Sequence, residues 1–315
     1  MWIRVSKRVM YPAKGGSLMV NTTAALTKTR LKYKKGKSTF ALAMRRLSRD
    51  WAARLGLFIV IVLVLLAIFA PYIAKYPYDQ VDIVNAYQTP SLEHFFGTDD
   101  LGRDIFSRML YGGRYSLSIG ICSVAISAVC GIILGAIAGF FGGVADDVIM
   151  RLLDILHAFP NILLAIVISA ALGTGYDKCI IALGLSGIPT YARVTRANIL
   201  NVRGMEYIEA ATSINCSNAR IIARHVLPNA LSPLIVQVTM GLGQTVLSAA
   251  TLSFVGLGVQ PPTPEWGAML SAARSFIRDY PHMVIFPGLY IMLAVLSFNL
   301  LGDALRDALD PKLKK

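Results

Sequence analysis

The feature that most limits this chain is a series of apolar runs close to twenty residues long. A helix rises 1.5 Å per residue, so about 20 residues cross the roughly 30 Å hydrocarbon core of a bilayer. Leu55–Ala74 meets this outright, bracketed by Arg54 and Lys75. Further runs cover residues 115–141, 152–172, 230–255 and 283–301. A weaker one begins at Cys179, is interrupted by Pro189 and extends to about residue 198. This pattern predicts an all-α polytopic membrane protein with about six transmembrane helices. Charge content agrees. Only 16% of residues are charged, whereas a soluble domain carries about a quarter, and mean hydropathy is +0.57.

The net charge of +13 resembles a nucleic-acid signal until it is located. All of the excess lies ahead of residue 55, where Asp50 is the single acid; the remainder is neutral. Residues 1–50 therefore read as a basic tail ahead of a membrane domain, 51–315, with no nucleic-acid partner implied. Positive flanks stay on the cytoplasmic side during insertion. Contact with anionic lipid would contribute about 1 kcal/mol per basic residue; a solvated tail is the plainer alternative. Six crossings put both termini in the cytoplasm, in agreement with Arg306, Lys312, Lys314 and Lys315. Segments 75–114, 173–178 and 256–282 then face out, and 142–151 and 191–229 face in.

No catalytic, cofactor or metal constellation emerges. Gly36-Lys37-Ser38 lacks the earlier glycine of a phosphate loop, Leu31 standing in its place. Cys122, Cys130, Cys179 and Cys216 lack ligand spacing. Asp154 and His157 share a helical face near the inner end of a span, either as a proton relay or as an interfacial pair satisfied by headgroups and neighbours. Span interiors are otherwise nearly free of charge, against a proton- or sodium-driven carrier. Gly131, Gly135 and Gly139 recur every four residues, a stripe for close helix contact, within the chain or between subunits.

The stretch 199–228 is an inner loop with a pattern of its own. Its first half favours helix, with Ile208, Ala211 and Thr212 on one side. Asn215 marks a turn, because asparagine tolerates the left-handed conformation that ends helices. Ser217 is placed to cap a second short helix whose apolar residues Ala219, Ile222, Ala223 and Val226 return at helical spacing. Pro228 ends that helix or opens the next span. Two short helices and a turn make a docking knob for a partner, or a pair lying on the membrane surface. Periodicity leaves the two even.

Glu209-Ala210-Ala211, the turn at Asn215 and Leu227-Pro228 resemble the EAA loop of bacterial ABC importer permeases. Phe96-Gly97-Thr98-Asp99, Leu101-Gly102-Arg103-Asp104, Ser107-Arg108 and Gly112-x-Arg114-x-Ser116-Leu117 resemble the dipeptide/oligopeptide/nickel class, of the "C" type. So do Asp154 with Ala158-Phe159-Pro160, Tyr191-Ala192-Arg193, Ser253 to Gly258, Pro261 to Gly267, and Asn299 to Pro311. Asn215 replaces the usual glycine. The resemblance runs from about residue 50 to the end.

It implies the type I ABC importer permease fold and a chain that is not itself an enzyme. ATP would be used by two cytoplasmic ATPase subunits; the other partners would be a homologous second permease, an extracytoplasmic substrate-binding protein and membrane lipid. Glu206, Glu209, Ala210, Ala211, Asn215, Ser217, Arg220, Leu227 and Pro228 would couple to the ATPase, with Ala210 and Ala211 allowing close approach. Asp99, Arg103, Asp104, Glu265 and Trp266 would meet the binding protein. The expected solute is a di- or oligopeptide, with nickel or a nickel complex as the alternative. A stand-alone channel or carrier leaves the knob without a task, and a membrane scaffold has no need of so glycine-rich a set of spans.

Overall fold

The computed structural model describes residues 46–309. The chain divides into two units, Met1–Ser38 and Thr39–Lys315. The first lies outside the described residues, as do the basic tail up to residue 45, the Gly36-Lys37-Ser38 segment and Lys312, Lys314 and Lys315.

Among the described residues every regular element is helical, apart from one isolated bridge between Thr98 and Asp104. The membrane domain opens at Asp50, whose carboxylate accepts from Ala52 N at 2.7 Å and Ala53 N at 3.2 Å. That cap starts α1, Trp51–Ile68. The expected continuation to residue 74 is broken at Phe69, and one turn, α2 (Ala70–Ile73), follows. Pro71 is the reason: it has no N–H to give the Ala67 carbonyl, and Tyr72 N turns to Phe69 O. Arg114 takes up both stranded carbonyls, donating from Nε to Ala67 O at 2.6 Å and from Nη2 to Ile68 O at 2.7 Å. An unpaired carbonyl kept from water costs about 1–3 kcal/mol. Arg114→Leu should accordingly lower thermal stability in detergent by about 2 kcal/mol; an unchanged melting temperature would show that water replaces the guanidinium.

α3, Ile105–Phe141, has 37 residues and is about 55 Å long, well beyond the hydrocarbon thickness. The expected span 115–141 is its lower part; the first turns are buried under the segment that precedes them. α3 packs along α6, Tyr176–Arg203, through the glycine stripe, which is therefore an internal contact. A Cβ at Gly135 would stand 2.3 Å from the Ala192 carbonyl oxygen, and one at Gly131 2.5 Å from Tyr191 Cβ. Backbone cannot yield as a side chain tip can. Gly135→Ala should destabilise the bundle by about 1–3 kcal/mol, read as a lower midpoint of thermal aggregation.

The expected span 152–172 is not one helix. It divides into α4, Gly143–His157, and α5, Asn161–Leu172, which meet at 87°. Pro160 lacks a donor and disfavours helical backbone at Phe159, so the apolar run continues while the helix does not. α5 has 12 residues, about 18 Å, too short to cross alone. α6 runs unbroken through Pro189, longer than the expected 179–198.

After a short elbow described below, α9 (Leu227–Phe254), α10 (Trp266–Ala273) and α11 (His282–Leu309) complete the bundle. Four helices among the described residues are long and apolar enough to cross a membrane, and five if α4 and α5 form one bent span. α6 is long enough but too polar for that test. It is flanked by α3, α5 and α9, and its surroundings satisfy polar groups directly: Ser123 and Ser127 of α3 donate to the carbonyls of Ile180 and Gly184. Its uncovered side still carries apolar Ile181 and Leu185, each 41% exposed.

Candidate functional site

At one end of the bundle α6 stops at Arg203, and the chain folds into a tight elbow. α7, Glu206–Ser213, comes first. It ends in an αL cap: Asn215 has φ +58°, Cys216 N donates to Ala211 O at 3.1 Å, and Asn215 N to Thr212 O at 2.9 Å. These are the paired bonds of a Schellman motif, so asparagine does here what glycine usually does. α8, Asn218–Ile221, follows and passes through a π turn, Ile222–Val226, directly into α9.

The second helix of the elbow is therefore no free-standing piece but the tip of a 37-residue rod, Asn218–Phe254. Of the two readings of Pro228 the second holds: it ends nothing and stands in the first turn of α9, where the wide turn just before it absorbs its missing donor. One expectation changes: the buried face is different. The i→i+5 spacing of a π turn puts Ile221 (1% exposed) and the expected Val226 (0%) on one side with Ala230, while Ala219 and Ala223 are exposed and Ile222 is half-buried. Ser217 holds the N-cap position, but its hydroxyl makes no capping bond.

What seats the elbow is apolar. Ile208 and Ala211 of α7, Ile199 and Val202 of α6, Ala136 of α3 and the Ile221–Val226–Ala230 face form one buried cluster. The elbow is thus clamped to the ends of three long helices, and displacing it displaces them. Its other face is open. Glu206, Glu209, Ala210, Asn215, Ser217, Arg220 and Pro228 are exposed, and Leu227 is half-buried. Ala211 is the exception: it is packed beneath the elbow, so the close approach it permits is to its own chain. Ile214 stands 76% exposed at the tip, a position sequence reasoning missed; an isoleucine immediately before the turn asparagine, off the buried stripe, is the signal that could have found it. A groove of about 550 Å³ runs beside α7, with Phe140, Arg203, Glu209 and Asn218 in its walls.

α4 is tied to α6 close to the elbow. Arg196 binds Asp146 through two bonds, one from Nη2 at 2.6 Å, and Arg193 binds Asp154 at 2.6 Å. Asp154 is thus held by Arg193 of α6, a neighbour on another helix, rather than by His157.

At the opposite end the five side chains expected to face a partner are turned inward. Glu265 (1% exposed) caps α10, accepting from Gly267 N, Ala268 N and the Ser116 hydroxyl. Trp266 (1%) donates its indole N–H to Met109 O at 3.0 Å. Asp99 accepts from Leu101 N, Arg103 N and Arg103 Nε. Asp104 caps α3 at Ser107 N and holds His94 Nδ1 at 2.9 Å. A carboxylate or guanidinium is costly to bury unless paired, and the pairing partners lie in the same loop or across it. These residues therefore build the cap of the end opposite the elbow. What it presents to solvent is mixed: apolar Ile83, Val84, Leu92 and Phe95, with Val84 and Leu92 more than 90% exposed, stand beside exposed Asp79, Gln80, Ser91 and Glu93.

A bundle of membrane-length helices with a clamped, outward-facing elbow at one end is the architecture of a multi-pass permease. The chain belongs to the family described as binding-protein-dependent transport system inner membrane component, which matches residues 131–315, and residues 38–90 match the N-terminal TM domain of oligopeptide transport permease C. It is similar to the dipeptide transport system permease protein DppC of Alkalihalophilus pseudofirmus, at 48% identity over 86% of this chain and 90% of that one. It is also similar to the glutathione transport system permease protein GsiD of Escherichia coli O6:K15:H31, at 50% identity over 86% and 89%. Among solved structures, the inward-facing MetNI methionine ABC transporter shares the fold, with a TM-score of 0.52, 19% identity, and coverage of 64% of this chain and 96% of that one. The protein is an ABC importer permease of the peptide family and a multi-pass membrane protein.

Proposed function

We propose that this permease imports di- or oligopeptides and forms half of the translocation pathway beside a homologous second permease, with two cytoplasmic ATPase subunits and an extracytoplasmic binding protein completing the importer. Both termini lie in the cytoplasm. The observation that carries this is the elbow's division into a buried apolar seat and an exposed face bearing Glu206, Glu209 and Arg220. ATP-driven movement of the ATPase pair pushes on that face, and the seat passes the displacement to α3, α6 and α9. Peptide as the solute is supported by the likeness to dipeptide and glutathione permeases; the same likeness does not favour nickel. At the other end, exposed Ile83, Val84, Leu92 and Phe95 would meet the binding protein, since exposed apolar patches mark contact sites, with exposed Asp79 and Glu93 beside them.

The test is uptake into proteoliposomes holding this permease, its partner permease and both ATPases, supplied with the cognate binding protein and ATP. Labelled di- and tripeptides should accumulate and nickel should not. Peptide uptake without the ATPases would overturn the proposal, as would nickel uptake in place of peptide.

A further inference from the structure

α9 and α11 lie side by side, but near the end away from the elbow they splay apart around α10. The gap is an open groove of about 570 Å³ with an almost wholly apolar lining, including Phe254, Leu270, Gly288, Met292 and Leu296. Asn299 lines it at the end of α11's stretch nearer the elbow. Along α11 the groove runs from Gly288 to Asn299, about 16 Å of helix. That is close to half of the roughly 30 Å hydrocarbon core, the depth of one leaflet.

The mouth carries a positive charge. The Arg274 guanidinium lies 5.5 Å from the centre of the Phe254 ring, and Ser271, three residues earlier, donates to Phe254 O at 3.1 Å. These contacts hold the start of the Arg274–Phe276 turn over the groove. Arg274 is exposed and, among the described residues, enters no ion pair within 4.0 Å. The groove also has room to spare at its glycine. A Cβ at Gly288 would meet only Leu270 Cδ1, at an ordinary 3.8 Å, whereas at Gly267, on the groove's inner wall, it would strike Ala250 Cα at 2.3 Å. The wall is close-packed and the groove is not.

An apolar slot one leaflet deep, open to the side, with a free guanidinium at its mouth, matches one molecule: a glycerophospholipid with an acyl chain in the slot and its phosphate on Arg274. We propose that the groove between α9 and α11 is a phospholipid site of the leaflet remote from the elbow. The acyl chain fills space between helices that must move relative to one another during transport. The proposal stands whether or not the solute is a peptide.

The test uses the assembled importer, reconstituted with phosphatidylglycerol and phosphatidylethanolamine, washed in detergent and weighed by native mass spectrometry. Wild type should keep one phospholipid in this groove. Gly288→Leu, which fills the slot, should lose it. Arg274→Glu, an exposed change that leaves the bundle intact, should weaken retention about fivefold, the effect of one basic residue near a headgroup. Equal retention by wild type and Gly288→Leu would overturn the site, and retention unaffected by Arg274→Glu would overturn its headgroup contact. Cross-linking of Met292→Cys to a second polypeptide in the same preparation would show that protein, not lipid, covers the groove.

Discussion

Glu209→Lys should reach the membrane at the wild-type level, keep its melting temperature, and fail to drive ATP-coupled uptake. The reasoning separates the two faces of α7. Glu209 is exposed and contributes to the fold mainly as an acid in the first turn of a helix, which favours negative charge by about 0.3–1 kcal/mol. Reversing it leaves the Ile208 and Ala211 seat untouched. At a partner interface the same change turns attraction into repulsion, and loss of one member of a desolvated charge pair costs about 2–5 kcal/mol, or upwards of 30-fold in affinity. Ile208→Asp is the contrasting variant. It puts a carboxylate into a fully apolar cluster, at a cost of several kcal/mol, so it should lower stability and uptake together. Normal uptake by Glu209→Lys in an assembled importer would remove the coupling role from this elbow.

The parts of the molecule that could be read in the chain are those decided by neighbours in sequence. The apolar runs, the left-handed turn at Asn215 and the glycine stripe of α3 each follow from a few adjacent residues. The elbow was legible because its turn chemistry is local. Its register was not: one π turn moves the buried face from Ile222 to Ile221, and nothing in a 3.6-residue period announces it.

The larger departures come from contacts distant in sequence. Glu265 is satisfied partly by Ser116, about 150 positions away, so its burial is invisible to spacing; a charged residue in an outer loop reads as solvent-facing until its partner is known. α6 tolerates a polar composition because α3 and α9 cover much of it, which hydropathy along one segment cannot register. The break at Pro160 had a signal, but the apolar run continues past it. The apolar length masks the proline, and the bend there is 87°.

That bend sets up the second large effect. α4 hangs between two hinges: Gly142 and Gly143, with φ +66° and +53°, at one end and Pro160 at the other. No Cβ contact restrains Gly143, and one whole face of α4, Val144, Val148, Leu152, Ile155 and the adjoining Phe159, is exposed. Its angle is set largely by Asp146–Arg196 and Asp154–Arg193. The second pair is well exposed, with side chains 57% and 37% accessible, and contributes little. The first is bidentate and more sheltered, at 14% and 33%, so it makes two charge-assisted bonds, each about twice as strong as a neutral one, in a fixed geometry. Arg196→Asp should therefore free α4, placing two carboxylates in contact, with a loss of about 2 kcal/mol in stability and a clear fall in uptake. Asp146→Arg should do the same. The double variant restores the pair with its charges exchanged, so a double-mutant cycle should give a coupling of about 1–2 kcal/mol and recover most of the uptake. Additive losses in the double variant would mean that α4 is held by its apolar face against something outside the chain, and that the ion pair merely accompanies that contact.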